Sequence, residues 1–190
     1  MDIDDLVYVV KNQLDKDFCE HCIEKFKKDD NRYQGRIGRG VDLTMKQSTD
    51  LYISDNEDWK EEDNIFFESL SKNLSSYQEW VPEPYPKYVM NYDREDTGYQ
   101  MQETKPGGFY HWHHDQLETR RLTFIWYLND VEEDGYTEFN TGLKIQPEIG
   151  KLMIFPGLWP WVHRGVAPKS EDKYICTGWI REKQVNNGEV

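Results

Sequence analysis

Residues 110–115 read YHWHHD, three histidines and an aspartate in one aromatic-flanked hexapeptide. Imidazole nitrogens and carboxylate oxygens are ready ligands for divalent transition metals. In an extended strand, residues i and i+2 project to the same face. His111, His113 and Asp115 then share one side and His114 takes the other. An aspartate inside a strand is unfavourable unless something compensates its charge, and a bound cation would do so. His113 and Asp115 therefore have the spacing of two ligands to one metal. A third must come from His21, in an N-terminal helical pattern, or His163, in FPGLWPWVHRGV within the β-region. Two histidines and a carboxylate on one face of a metal leave three positions open, the pattern of non-haem Fe(II) oxygenases. Taken alone, the same residues also describe histidines packed for structure.

A second chemical signal lies near the C-terminus. In KYICTGWI, alternation sets Lys173, Thr177 and Trp179 on one face and Tyr174, Cys176 and Ile180 on the other. If the first face is interior, a lysine is buried there and its ammonium needs an anion. A dicarboxylate chelating a metal at its other end would supply one. The alternative is a strand-end lysine reaching solvent.

The elements that must position these groups fall into two regions. In DKDFCEHCIEKFKKDD, Phe18, Cys22 and Phe26 recur at four-residue steps beside Cys19 and Ile23, and Asp15 is placed to cap the helix. Cys19 and Cys22 form a C-x-x-C pair with no second pair, which reads as a helix face and not a zinc half-site. EDWKEEDNIFFESLSKNLSSYQEW repeats the pattern with Phe66, Leu70, Leu74 and Tyr77 on one stripe, ended by VPEPYP. From Lys87 the texture changes to short aromatic and β-branched runs: KYVMNYD, GYQMQET, GFYHWHHD, RLTFIWYLND, KLMIFP and KYICTGWI. Turn-forming KPGG, EEDG and PEIG separate them. Helices followed by many short strands predict an antiparallel barrel or sandwich in a single 1–190 domain, with helical support over about 1–86 and a β-core over about 87–182. The tail from Glu182 is expected to fray.

Composition sets outer bounds. The 7 Trp, 12 Tyr and 8 Phe among 190 residues argue against disorder despite a mean hydropathy of -0.91. The net charge of -13 disfavours a nucleic-acid partner. Arg32, Arg36 and Arg39 in NRYQGRIGRG are too small a patch to reverse that, and the stretch reads as a solvated loop. No apolar run approaches a membrane span, and the acidic start MDIDDLVYVV is unlike a secretory signal. A reducing cytoplasm is the expected location for three unpaired cysteines. Nothing in the sequence speaks to oligomeric state.

Taken together, residues 88–180 resemble the prolyl 4-hydroxylase-like branch of the Fe(II)/2-oxoglutarate-dependent dioxygenases. The elements of the resemblance are Tyr110, His113 and Asp115 (Y-x-x-H-x-D), Thr123 with YLND at 127–130, DGYTEF at 134–139, then His163 and Lys173. It implies a mainly β (α+β) fold, a double-stranded β-helix or jelly roll buttressed by the N-terminal helices. It implies His113, Asp115 and His163 as iron ligands and Lys173 as partner of the far carboxylate of 2-oxoglutarate. Tyr127, Thr177, Trp179 and Tyr110 would belong to the cosubstrate pocket. The implied cofactors are Fe(II), 2-oxoglutarate and O2, with ascorbate as an auxiliary reductant. The implied reaction is hydroxylation of a prolyl residue in a peptide, or of a small amino-acid-like molecule, with 2-oxoglutarate converted to succinate. Related halogenases replace the carboxylate ligand by a small residue; Asp115 keeps it, so hydroxylation is expected. The sequence departs from the family where a tyrosine often stands nine or ten positions before the first ligand. Those positions hold Thr104 and Glu103, with Gln102 and Gln100 as the available substitutes.

Three alternative readings exist. A cupin-type metalloenzyme would use His111, His113 and Glu118, but the glycine it needs is Ile125 and the motif around His163 has the wrong spacing. A non-catalytic β-helix binding module would have no need of three ligands and a buried base together. A nucleic-acid demethylase would use Arg181, which is less well placed than Lys173. Trp159 and Trp161 before His163 could line a substrate mouth or close the barrel end, and specificity is expected in loops 30–58 and 104–110. His114 reads as a bystander and His111 as a packing or rim residue.

Overall fold

The structure, a computed structural model, describes residues 2–38, 40–83, 94–117 and 119–183. The strand expected at KYVMNYD and most of the tail lie outside them. Two helices, α1 (Lys16–Lys28) and α2 (Lys60–Trp80), match the two periodic segments. Cys19, Cys22, Ile23 and Phe26 of α1 and Phe66, Leu70, Leu74 and Tyr77 of α2 are buried, as their spacing requires. Asp15 occupies the N-cap position of α1 but makes no side-chain cap bond; its carbonyl accepts from Cys19 instead. Glu62 of α2, nearly inaccessible, takes hydrogen bonds from Lys25 and His21 of α1 at 2.8 and 2.6 Å and ties the helices together. His21 is thereby removed as a metal ligand.

The described residues form twelve strands: β1 (Tyr8–Val10), β2 (Tyr33–Gln34), β3 (Thr49–Tyr52), β4 (Arg94–Asp96), β5 (Gln100–Thr104), β6 (Tyr110–His113), β7 (Arg120–Tyr127), β8 (Thr137–Phe139), β9 (Lys144–Ile145), β10 (Lys151–Pro156), β11 (His163–Gly165) and β12 (Lys173–Glu182). Among the described residues they form a major sheet ordered β1-β10-β7-β12-β5-β3-β2, with β4 also on β12, and a minor sheet ordered β6-β11-β8-β9. All pairings are antiparallel. Two facing antiparallel sheets with helices outside one of them make the double-stranded β-helix expected from the resemblance.

The N-terminal region is not purely helical. β1 extends one edge of the major sheet and β2 and β3 the other, so the segment read as a solvated loop contains sheet. These strands are two to four residues long, too short to show a period.

Alternation along the central strands sorts the two sides of the major sheet. Leu122, Phe124 and Trp126 of β7 meet the helices, where Phe66 packs on Trp126 and Tyr99 at 5.2 and 5.7 Å between ring centroids. Thr123 and Ile125 face the minor sheet and line a cavity with Lys173, Ile175, Thr177 and Trp179 of β12. Gly178 lies on the helix side, where a Cβ would stand 2.4 Å from the Gly98 carbonyl oxygen and 2.6 Å from the Phe124 ring. Gly178→Ala is therefore expected to destabilise the fold by roughly 1–3 kcal/mol, read as a lower denaturant midpoint at unchanged slope.

Candidate active site

The cavity lies between the sheets, holds about 620 Å³ including its open mouth, and gathers most of the residues singled out by sequence. His113 ends β6 and His163 begins β11, and the two stand opposite each other in the antiparallel pair. Asp115 follows two residues after β6 has ended, so it reaches the site from the strand's continuation. His113 Nε2 lies 3.8 Å from Asp115 Oδ1 and His163 Nε2 lies 3.7 Å from Asp115 Oδ2. The three ligand atoms are mutually within 4.8 Å, and among the described residues this is the one cluster of three such groups able to hold a metal.

Hydrogen bonds fix how these groups present themselves. His113 Nδ1–H donates to the His111 carbonyl at 2.7 Å, and His163 Nδ1–H to the Trp161 carbonyl at 3.0 Å. A carbonyl can only accept, so each Nδ1 carries the proton and each Nε2 presents a lone pair inward. Burial, then the neighbouring His163, lowers the pKa of His113 and keeps it neutral. Burial alone would raise the Asp115 pKa, but His163, His113, the Thr123 hydroxyl and the Trp179 indole together hold it below the usual carboxylate range. Thr123 Oγ1 donates to Asp115 Oδ2 at 2.7 Å. Two imidazoles that offer Nε2 and one ionised carboxylate form a donor set suited to Fe(II). Thr123→Val removes a bond that orients the carboxylate; we expect Fe(II) affinity to fall roughly tenfold, the lower end of such outer-shell effects, in an anaerobic titration.

At the inner end stands Lys173. It is 5% exposed, no described carboxylate pairs with it, and burial brings its pKa down to about 7. A buried ammonium facing a cavity without an anion suits a carboxylate arriving with a ligand. Tyr127 lies behind the wall: its ring is 5.5 Å from the ammonium, and its hydroxyl donates to Thr137, which lines the cavity. Thr177 is on the wall but donates its hydroxyl backwards to the Phe124 carbonyl at 2.7 Å. Tyr110 stacks on His113 with centroids 3.5 Å apart and planes 14° apart. Trp179 lines the cavity with its indole N–H buried and on the side of the Asp115 carboxylate.

Where the family often has its extra tyrosine, Gln102 and Thr104 line the cavity and Glu103 turns away to Tyr174. Gln102 is braced by Gln100, and Gln100 by the Tyr33 hydroxyl of β2, at 2.8 and 2.9 Å. Arg181 pairs with Glu95 and stays outside the cavity. His111 is exposed against Phe109 and His114 is exposed, while the cupin reading's Glu118 lies outside the described residues. The two tryptophans divide the roles: Trp159 is exposed, and Trp161 is buried with its N–H on the Ile3 carbonyl. Sequence reasoning missed Arg120, whose guanidinium lies 3.5 Å from the Trp179 ring centroid. A register shift at Ile180 and Arg181 brings it there, and alternation cannot foresee such an irregularity.

Comparison with known proteins agrees with this geometry. Residues 99–181 match the model of the 2OG-Fe(II) oxygenase superfamily. The chain is 22% identical, with a TM-score of 0.71, to a viral collagen prolyl hydroxylase from Paramecium Bursaria Chlorella virus-1 solved as a 2OG complex, covering 94% of this chain and 97% of that one. It is 18% identical, with a TM-score of 0.69, to a Pseudomonas putida prolyl-4-hydroxylase, covering 95% and 97%. It is also 18% identical, with a TM-score of 0.72, to a Trichoplax adhaerens prolyl hydroxylase in complex with a hypoxia inducible factor peptide fragment, covering 94% and 84%. No curated protein matches the chain significantly. The matched segment, 99–181, carries every site residue named from sequence. The superfamily that model describes is one of oxygenases that work with Fe(II) and 2-oxoglutarate.

Proposed function

We propose that this oxygenase hydroxylates a prolyl residue within a peptide. The observation that carries the reading is the cavity wall beside the three-ligand cluster, which Tyr110 and Trp179 line, with Arg120 over Trp179. Aromatic side chains suit a pyrrolidine ring, and a guanidinium suits a peptide carbonyl. In this reading His113, Asp115 and His163 hold the iron, and Lys173 meets the far carboxylate of 2-oxoglutarate. Bound there, iron and 2-oxoglutarate supply the oxidising chemistry: one atom of O2 goes into succinate, with release of CO2, and the other into the substrate C–H bond.

The chain's own residues supply geometry. Nδ1–H bonds to backbone carbonyls keep both imidazoles in the metal-binding tautomer, and Thr123 keeps the Asp115 carboxylate oriented. Ile125, Ile175 and Val166 line the cavity with apolar groups and limit water. Trp179 and Arg120 hold the peptide so that a ring carbon faces the reacting position. The buried free thiols of Cys19, Cys22 and Cys176 are in keeping with a reducing cytoplasm as the site of action. Among the described residues no helix is long and apolar enough to cross a membrane.

The test is incubation with Fe(II), 2-oxoglutarate, ascorbate and a library of proline-containing peptides, followed by mass spectrometry. Gain of one oxygen on proline, dependent on 2-oxoglutarate, is the expected result. Succinate formed with free amino acids but no peptide would move the substrate class to small molecules.

A further inference from the structure

The segment from Met45 to Tyr52 joins the two sheets at the open edge beside the cavity. Its first part pairs with β6: Gln47 N–H donates to the Phe109 carbonyl, His111 N–H to the Met45 carbonyl, and Lys46 stands opposite Tyr110. Its second part is β3, whose Asp50 stands opposite Gln102 of β5. At the crossing lies a buried ion pair. Lys46 Nζ is 2.7 Å from Asp50 Oδ2, and the two side chains are 4% and 1% exposed. Ser48 Oγ donates to Asp50 Oδ1 at 2.7 Å. Gly35 closes over the group so tightly that a Cβ there would fall 2.2 Å from Ser48 Oγ.

Such a pair is a poor device for stability. Desolvating two charges costs several kcal/mol per ion, and well-packed apolar residues commonly do as well. Its location suggests another use. The Lys46 ammonium lies 5.3 Å from the centroid of the Tyr110 ring, within cation–π range. That ring stacks on the His113 imidazole, and the imidazole in turn leans on His163 at 4.3 Å between centroids. A fixed charge therefore holds an aromatic plate, and the plate holds a ligand side chain that is otherwise tethered by one Nδ1–H bond.

We propose that Lys46, fixed by Asp50, is a positioning residue for His113 and acts through the ring of Tyr110; this rests on the reading of His113, Asp115 and His163 as iron ligands. Lys46 touches no reacting group. It sets the orientation in which the His113 lone pair meets the metal, and so the metal affinity of the chain before any cosubstrate arrives.

The experiment is an anaerobic titration of the full-length apoprotein with Fe(II), repeated with Co(II), whose visible bands report the ligand geometry. The variants are Lys46→Met/Asp50→Leu, Tyr110→Leu, Tyr110→Phe and the triple combination with Tyr110→Leu. Replacing both charges leaves no unpaired buried ion, and a thermal melt checks that the fold persists. We expect the double variant to bind either metal about tenfold more weakly, within the range of outer-shell effects, with an altered Co(II) spectrum at unchanged melting temperature. We expect Tyr110→Phe to bind as the wild type does. In the Tyr110→Leu background, loss of the ion pair should cost nothing further, because its effect runs through the ring. Unchanged metal affinity in the double variant, or losses that simply add to that of Tyr110→Leu, would overturn the proposal. A wild-type chain that binds neither metal would overturn both this proposal and the ligand assignment, and the same titration shows that first.

Discussion

His163→Ala abolishes turnover and weakens Fe(II) binding by more than about 100-fold, since outer-shell partners alone are worth 10–100-fold. His163 is buried, its Nε2 is turned inward by the Nδ1–H bond to the Trp161 carbonyl, and it sits between Phe139, Phe155 and His113. Alanine would leave His113 and Asp115 without the third donor that the proposed site requires. The fold should survive, because the main core lies on the other side of the major sheet against α1 and α2. Circular dichroism unchanged beside lost iron binding is the expected pair of results; iron affinity equal to wild type would remove His163 from the site.

Lys173→Met has effects of opposite sign on binding and on stability. Removing one partner of a buried ion pair costs about 3–5 kcal/mol, so the 2-oxoglutarate requirement should rise by roughly two to four orders of magnitude. The ligand-free protein, by contrast, should become more stable, because its unpaired buried ammonium is gone. The pH dependence follows from the lysine's displacement from 10.5 to about 7 in the fold. Between those values the unfolded chain binds the proton and the folded chain does not, so ligand-free stability rises with pH across that window. Below about pH 7 both states are protonated and the burial penalty is fully present. In Lys173→Met this rise disappears. Denaturant unfolding at several pH values, with 2-oxoglutarate titrations alongside, measures both; an unaltered cosubstrate requirement would transfer the role to another base.

What was legible in the sequence was whatever repeated over enough residues or stood at a chemically telling spacing. The stripes of α1 and α2, the in-out alternation of β7 and β12, and the pairing of His113 with Asp115 all met that condition. The joint pattern of Tyr110, His113, Asp115, His163 and Lys173 led to the fold as well as the cluster. Illegible were features made by partners remote in the chain. β1 is a strand because β10 lies beside it, more than 140 residues later, and its three residues carry no period of their own. Lys46 stands in the polar run MKQSTD, where nothing but its distance to Asp50 in the fold shows that it is buried. Arg120 reaches Trp179 through a local irregularity of the sheet, and Tyr127 supports the cavity from behind because Thr137 intervenes. Asp15 shows the converse: a residue of the right type at the right place whose side chain the helix does not use.

The central claim is that one cavity holds Fe(II) on His113, Asp115 and His163 and 2-oxoglutarate against Lys173. The most direct measurement is to add Fe(II) and then 2-oxoglutarate to the apoprotein under anaerobic conditions and follow visible absorption. The weak metal-to-ligand charge-transfer band of a chelated 2-oxo acid should appear, vanish in His163→Ala, and need far more 2-oxoglutarate in Lys173→Met. Iron bound without that band at saturating 2-oxoglutarate would contradict the account.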